Sequence, residues 1–237
     1  MTNANKKSNR KKILFLVQFA ILLGLEAIFC FTPLGSIPIG PLMVATLGMI
    51  PVIITALLLG TAAGSVMGFF AGIFSLIVWV AMPPPSFLII VFSPVVSGSF
   101  WSVIFCIVPR VLVGTVTGLT YNIIKKINGK SKVVNALAFG ISGVLGSFVN
   151  TALVLWGGYI IFYDKLSALF DGNIDIIEWI VWALEIIGGT FSPENAVLTA
   201  INIVVLTNGI PELIISAVVA VSVCMPLRRV LTKQNLI

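Results

Sequence analysis

The 237-residue chain has no histidine, eight acidic residues and three cysteines, and only 9% of its side chains are charged. Without histidine there is no Ser/His or Cys/His nucleophile and base pair, and no imidazole to bind a metal. No two carboxylates are placed for shared acid and base work inside an apolar segment, so an enzyme is the weaker class. A G-x-x-x-x-G-K-[ST] phosphate loop is also missing, and the chain alone hydrolyses no ATP. Cys30, Cys106 and Cys224 show no paired spacing and lie in or near apolar segments. They read as packing residues, and neither a disulfide framework nor a metal or cofactor site is expected.

What is present is hydrocarbon. Hydrophobic residues make up 59% of the chain and the mean hydropathy is +1.15, a composition that leaves too little polar cover for a soluble surface. The solvent is therefore lipid. The apolar stretches are long and continuous, which favours helices over a barrel of alternating strands. Spans are expected near residues 13–31, 42–60, 62–80, 101–124, 133–158 and 197–227. Two further apolar stretches are interrupted, residues 86–100 by Ser93, Pro94, Ser97, Gly98 and Ser99, and residues 174–188 by Asp175, Glu178 and Glu185.

Charge placement decides the count. Lys6, Lys7, Arg10, Lys11 and Lys12 precede the first span; Lys125, Lys126, Lys130 and Lys132 lie between the fourth and fifth; Arg228, Arg229 and Lys233 follow the last. The positive-inside rule puts all three clusters in the cytoplasm, which requires an even number of crossings between them. The expected fold is an all-α integral membrane protein of six transmembrane helices, N-in and C-in. Residues 1–12 form a basic cytoplasmic N-terminus, 13–227 the transmembrane domain and 228–237 a basic tail. Residues 174–188 read as an outer amphipathic helix, with Asp175, Glu178, Trp182 and Glu185 on one face. Topology accounts for the basic balance, and no nucleic-acid partner is expected. The first apolar stretch is long for a signal sequence and lacks a small-x-small cleavage site.

Charged residues inside a span cost about 2.5–3.5 kcal/mol on insertion scales and so face the bundle interior. Glu26 falls toward the outer end of the first span, Arg110 in the outer half of the fourth and Glu212 near the middle of the sixth. Asn150, Asn202 and Asn208 come at similar depth, and together these residues are expected to line one pocket open to the outside. Pro109 and Pro211 each free the carbonyl four residues earlier, at Phe105 and Thr207, and irregular backbone at membrane depth is tolerated where it lines a cavity. Two roles stand open for Arg110: a strut paired with Glu212 or Glu26, or a bidentate fork for a substrate carboxylate. Trp79, Trp101, Trp156 and Tyr159 map to the outer boundary, where an aromatic belt is the ordinary explanation. Trp156 is the first choice among them for stacking on a ligand.

Small residues recur at every fourth position: Gly64, Gly68 and Gly72 in the third span, Gly114 and Gly118 in the fourth, Ala20 and Gly24 in the first. Such faces allow close helix contact, within the bundle or with a membrane partner, and Ala20, Gly24, Gly64 and Gly68 are the candidate docking positions.

The run Pro33-Leu-Gly-Ser-Ile-Pro-Ile-Gly-Pro41, followed by Ala45-Thr46, Ile50-Pro51, Leu59-Gly60, Gly64, Gly68, Phe69, Gly72, Ser75 and Leu76, resembles the substrate-binding S components of energy-coupling factor (ECF) transporters. Thr207-Asn-Gly-Ile-Pro-Glu212 near the end is similar to the pantothenate type. Met49 stands where that type often carries histidine. The resemblance implies a six-helix, N-in and C-in protein of the bacterial cell membrane that captures a water-soluble vitamin. It implies as partners a transmembrane coupling subunit and two ATPase subunits, with Ala20 and Gly24 matching the family's docking motif on the first helix. Pantothenate is the expected vitamin, with riboflavin, thiamine or a pyrimidine precursor, and folate as alternatives. A reading from another class is an ion-coupled carrier working alone, with Glu26 or Glu212 as its proton site.

Overall fold

The computed structural model describes residues 3–32, 35–38, 44–84, 88–128, 132–170, 174–187 and 195–233. Helix α1 (Asn3–Phe31) carries the first of five stretches long and apolar enough to cross a membrane: Asn9–Phe31, Thr61–Ala81, Trp101–Ile127, Val133–Ala168 and Ala196–Thr232. These coincide with five of the six expected spans.

The segment expected as the second span, 42–60, is built differently. An antiparallel hairpin pairs β1 (Ser36–Pro38) with β2 (Val44–Thr46), Ile37 opposite Ala45, and only then does α2 (Ile50–Leu59) begin. At ten residues, α2 is about 15 Å long, half of a ~30 Å hydrocarbon core. Pro51 sits in its first turn, where a missing N–H costs nothing. Gly60, at φ 103°, ends it in a conformation that suits glycine. Val52, Ile53, Ala56 and Leu57 are all buried, so α2 is wrapped by protein and its length is not set by lipid. Of the run that carries the family resemblance, residues 33, 34 and 39–41 lie outside the described residues.

Helix α3 (Thr61–Ala81) is followed by two single turns, α4 (Ile89–Phe92) and α5 (Pro94–Ser97). The break between them is where Ser93 caps α5, its hydroxyl accepting from the Val96 N–H at 3.5 Å, with Pro94 at the first helical position. Helix α6 (Trp101–Asn128) and the 39-residue α7 (Lys132–Phe170) complete the centre, α7 kinking at Phe162 (φ −111°, ψ 18°). Beyond the kink, the Lys165 ammonium donates to the Ser97 carbonyl and so ties α7 to the end of α5. Helix α8 (Ile174–Ile187) is amphipathic: Trp179, Ile180, Ala183 and Leu184 are buried, while Glu178, Trp182 and Glu185 are exposed. The Asp175 side chain lies outside the described residues. The last helical segment runs as α9 (Ala196–Val204), a π-helical turn over Val205–Gly209, α10 (Ile210–Val219), a second π turn over Ala220–Cys224, and α11 (Met225–Lys233).

Glycine sets the spacing of the central pair. A Cβ on Gly68 would fall 2.1 Å from the Arg110 carbonyl oxygen and one on Gly114 would fall 2.1 Å from that of Gly64, so α3 and α6 touch backbone to backbone. The helices run antiparallel, with Thr61 at the start of α3 against Gly118 near the end of α6. Phe31 at the end of α1 meets Phe74 in the second half of α3, ring centroids 5.4 Å apart, so α1 runs parallel to α3. Arg228 of α11 and Lys125 of α6 both stand over the Tyr121 ring, at 4.5 and 5.7 Å, and Arg228 also donates to the Leu57 carbonyl in the last turn of α2. The basic clusters therefore share one end of the bundle.

Two apolar clusters form the core. One, around Trp79, Phe92, Phe105, Leu155, Ile180 and Ile201, fills the end remote from the basic residues. The other, around Ile53, Leu57, Met67, Val113, Tyr121 and Phe139, fills the basic end. A cavity lies where the two meet, since members of both line it.

Candidate solute-binding cavity

The cavity has a volume of about 450 Å³ and is walled by α1, α3, α4, α6, α7, the last helical segment and the residues just before α2. Its size falls in the ~300–1,000 Å³ range of small-molecule sites. Most of the wall is apolar, with Trp79 stacked on Phe92 at a centroid distance of 5.1 Å and 20° between planes. Gly35 and Gly48, which flank the hairpin, are part of it.

Polar groups reach this wall through local irregularities that the sequence dictates. In α6, Pro109 has no N–H to offer the Phe105 carbonyl. The neighbouring Arg110 fills the gap, its guanidinium donating to Phe105 O at 3.1 Å while Cζ stands 4.8 Å over the Phe92 ring. Gly68 opposite lets the α6 backbone come close enough to hold Arg110 at the wall. In the last segment, Pro211 likewise cannot serve the Thr207 carbonyl. The turn before it widens, with the Ile210 N–H bonded five residues back to Val205 O. Such π turns frequently occur at functional sites. This one buries Asn208 and Gly209 and turns both to the cavity, followed one turn later by Glu212. Gly209 packs against Thr151 of α7, a Cβ there falling 3.1 Å from the threonine methyl.

Glu26 on α1 is 1% exposed; its Oε1 accepts from the Cys30 thiol at 3.3 Å. Among the described residues, Glu26 Oε2, Arg110 Nε, Asn150 Oδ1, Thr151 Oγ1 and Asn208 Oδ1 have no hydrogen-bond partner. Buried polar atoms are ordinarily paired, and leaving one unpaired costs about 1–3 kcal/mol. Five such atoms lie on residues around this one cavity.

Of the residues singled out in the sequence, Glu26, Arg110, Asn150, Asn208 and Glu212 come together here. Asn202 and Trp156 do not: both are exposed and neither lines the cavity. Each stands six residues from a cavity asparagine, Asn208 and Asn150 respectively, a spacing that falls between one and two helical turns and so points to a different face. Trp156 instead meets Tyr159 edge to face at 6.3 Å on the outside of α7, and Tyr159 meets Tyr163 in the same way at 5.3 Å, an arrangement suited to an aromatic belt. Trp79, assigned to that belt from the sequence, is buried in the cavity wall. Cys30 and Thr151 also belong to the wall. Their sequence signal was proximity, Cys30 one turn from Glu26 and Thr151 next to Asn150.

Ala20 and Gly24 lie exposed on α1, and a Cβ on Gly24 meets nothing within 4 Å. Gly64 and Gly68, also considered for docking, are instead buried against Gly114 and Arg110 of α6. They hold the bundle together and present no face to an outside partner.

A multi-pass helical membrane protein with an internal cavity of solute size, ringed by unpaired polar atoms, belongs to the class of membrane solute-binding proteins and transporters. The family model "ECF transporter, substrate-specific component" matches residues 14–224, and the chain belongs to that family. It is 27% identical over 211 residues to the pantothenic acid transporter PanT of Lactococcus lactis subsp. cremoris, covering 86% of this chain and 94% of the relative. It is 28% identical over 184 residues to the pantothenate transporter PanT of Leuconostoc mesenteroides subsp. mesenteroides, covering 73% of this chain and 81% of the relative.

Proposed function

We propose that the chain captures pantothenate in this cavity and delivers it through an ECF complex of one transmembrane coupling subunit and two ATPases. The observation that carries the substrate is the pairing of one buried guanidinium with unpartnered amide and hydroxyl groups around a single cavity. Pantothenate offers a carboxylate for Arg110 and an amide and hydroxyls for Asn150, Thr151 and Asn208. The names of the two relatives point the same way. In this reading Glu212 orders the polar side of the π turn, and the apolar wall of Trp79, Phe92 and Val154 takes the ligand's dimethyl carbon.

The same reading places the basic end in the cytoplasm of a bacterial cell membrane, by the positive-inside rule. The short α2 then counts with its preceding hairpin as the second crossing, for six in all, and the cavity lies in the outer half. Ala20 and Gly24 on the exposed face of α1 supply a close-packing surface for the coupling subunit.

Equilibrium binding of labelled pantothenate to the detergent-purified chain tests the substrate, with riboflavin, thiamine, biotin, folate and a pyrimidine precursor as competitors. Displacement by unlabelled pantothenate alone is the expected result. Stabilisation by a different vitamin, with no pantothenate bound, overturns the substrate and leaves the family assignment in place.

A further inference from the structure

The Glu26 carboxyl sits in surroundings that suit a charge poorly. It is 1% exposed in the spanning part of α1, one oxygen accepting from a thiol and the other without a hydrogen-bond partner among the described residues. A thiol is a weak donor. An ionised carboxylate buried in this way costs several kcal/mol unless a cation or several donors meet it.

Among the described residues, the surrounding elements give its second oxygen no hydrogen-bond donor. Helices α2 and α3 pack on α1; Met49, just before α2, and Ala71, Ser75 and Trp79 of α3 line the cavity, and α7 contributes the neutral Asn150 and Thr151. The charged groups across the cavity are Arg110 on α6 and Glu212 on α10; the Arg110 guanidinium gives one N–H to the Phe105 carbonyl and stands over the Phe92 ring, while its Nε has no hydrogen-bond partner among the described residues. A ligand carboxylate arriving at Arg110 makes three carboxyl groups around one guanidinium. Carboxyls crowded into a low-dielectric space share protons, because the second charge is repelled by the first.

We infer that Glu26 holds a proton while the ligand is bound, and that its Oε2, then a hydroxyl, donates a specificity-determining hydrogen bond to the ligand carboxylate beside Arg110. This rests on the cavity being the binding site described above. The site then selects a monoanionic carboxylate that enters with one proton, held at Glu26 and taken from solvent if the free protein lacks it. No covalent bond changes. The unpartnered Oε2 acquires a partner on ligand binding, and the ligand carboxylate gains a second donor besides Arg110.

The test combines pantothenate binding by the full detergent-purified chain across about pH 6–9, where buried carboxyls titrate, with infrared spectra in the protonated-carboxyl region, ligand-free and ligand-bound. Wild-type affinity is expected to fall toward tenfold per pH unit at the alkaline end, the linkage slope for one proton. Glu26→Gln, a permanently neutral donor, is expected to lose that slope and the protonated-carboxyl band of the bound state, whereas Cys30→Ala keeps both. A wild-type affinity that does not change with pH, with no protonated-carboxyl band in the complex, overturns the inference whether or not the variant folds. So does a Glu26→Gln protein that retains the wild-type slope. A wild-type chain that binds no pantothenate at any pH overturns the vitamin and with it this inference, whereas pantothenate binding that is independent of pH overturns the inference alone.

Discussion

Gly68→Ala places a single methyl group where the structure has no room. The added carbon would fall 2.1 Å from the Arg110 carbonyl oxygen, 2.6 Å from its carbon and 2.9 Å from the Val111 Cα, where ordinary contacts begin at 3.4 Å. All three neighbours are backbone, so no rotamer change relieves the clash, and α6 must retreat from α3 by at least an ångström. Gly64 and Gly72, one turn away on either side, hold the helices at the same close distance through Gly114 and Ile107, so the displacement cannot stay local. Overpacking of this kind costs about 1–3 kcal/mol. Close backbone approach is also a main source of helix attraction in lipid. The shift falls on Arg110 itself, so binding should weaken as well, by about tenfold for each ~1.4 kcal/mol lost from a charge-assisted hydrogen bond. Thermal unfolding in detergent and the pantothenate Kd, both measured against Gly24→Ala, read the two effects. The control carries the same change at a site with nothing within 4 Å. A Gly68→Ala protein that unfolds at the wild-type temperature and binds with wild-type affinity refutes the reasoning.

Arg110→Gln should leave a folded chain, since glutamine can still donate to the Phe105 carbonyl, and should weaken pantothenate binding by about a hundredfold or more, the ~3 kcal/mol of a charged bidentate bond; isothermal titration measures it, and unchanged affinity excludes Arg110 as the carboxylate's partner. Asn150→Ala and Asn208→Ala should each cost about 1 kcal/mol of binding, roughly fivefold. Asn202→Ala and Trp156→Phe, changes at exposed positions off the cavity, should cost nothing in the same titration. Ala20→Leu or Gly24→Leu should block uptake in liposomes holding the coupling and ATPase subunits while binding by the isolated chain is intact; undiminished uptake removes the docking role from α1.

Much of the fold was legible in one dimension because lipid imposes a simple rule. Every backbone polar group in the hydrocarbon must be bonded within its own segment, so a long apolar run has one solution, a helix. That is why the spans at 13–31, 62–80, 101–124, 133–158 and 197–227 all appear as helices, with boundaries that extend beyond the apolar run. The amphipathic helix at Ile174–Ile187 was legible for a related reason, its acidic residues recurring on one face. Within the segment expected as a span at 42–60, the helix covers only Ile50–Leu59 and is packed in protein, with Pro51 to Leu58 buried. Hydrophobicity reports what a segment avoids, water, and does not distinguish lipid from a protein core. The hairpin before α2 left no signal in hydropathy at all.

The site divides along the same line. Charges and amides inside apolar segments identify themselves by their cost, and the prolines at 109 and 211 marked where the backbone would open. From these the sequence by itself determined that Glu26, Arg110, Asn150, Asn208 and Glu212 had to face inward, and that the basic ends belonged together. It could not decide which inward face. Asn202 and Trp156 share helical segments with cavity residues, yet the six-residue offset turns them outward. Nor could it decide that the Phe105 carbonyl freed by Pro109 would be taken by the adjacent arginine rather than left for a ligand. Rotation about a helix axis and the closeness of neighbouring backbones are settled only when Gly64, Gly68 and Gly72 meet α6. They depend on contacts between residues far apart in the chain, and no local pattern encodes those.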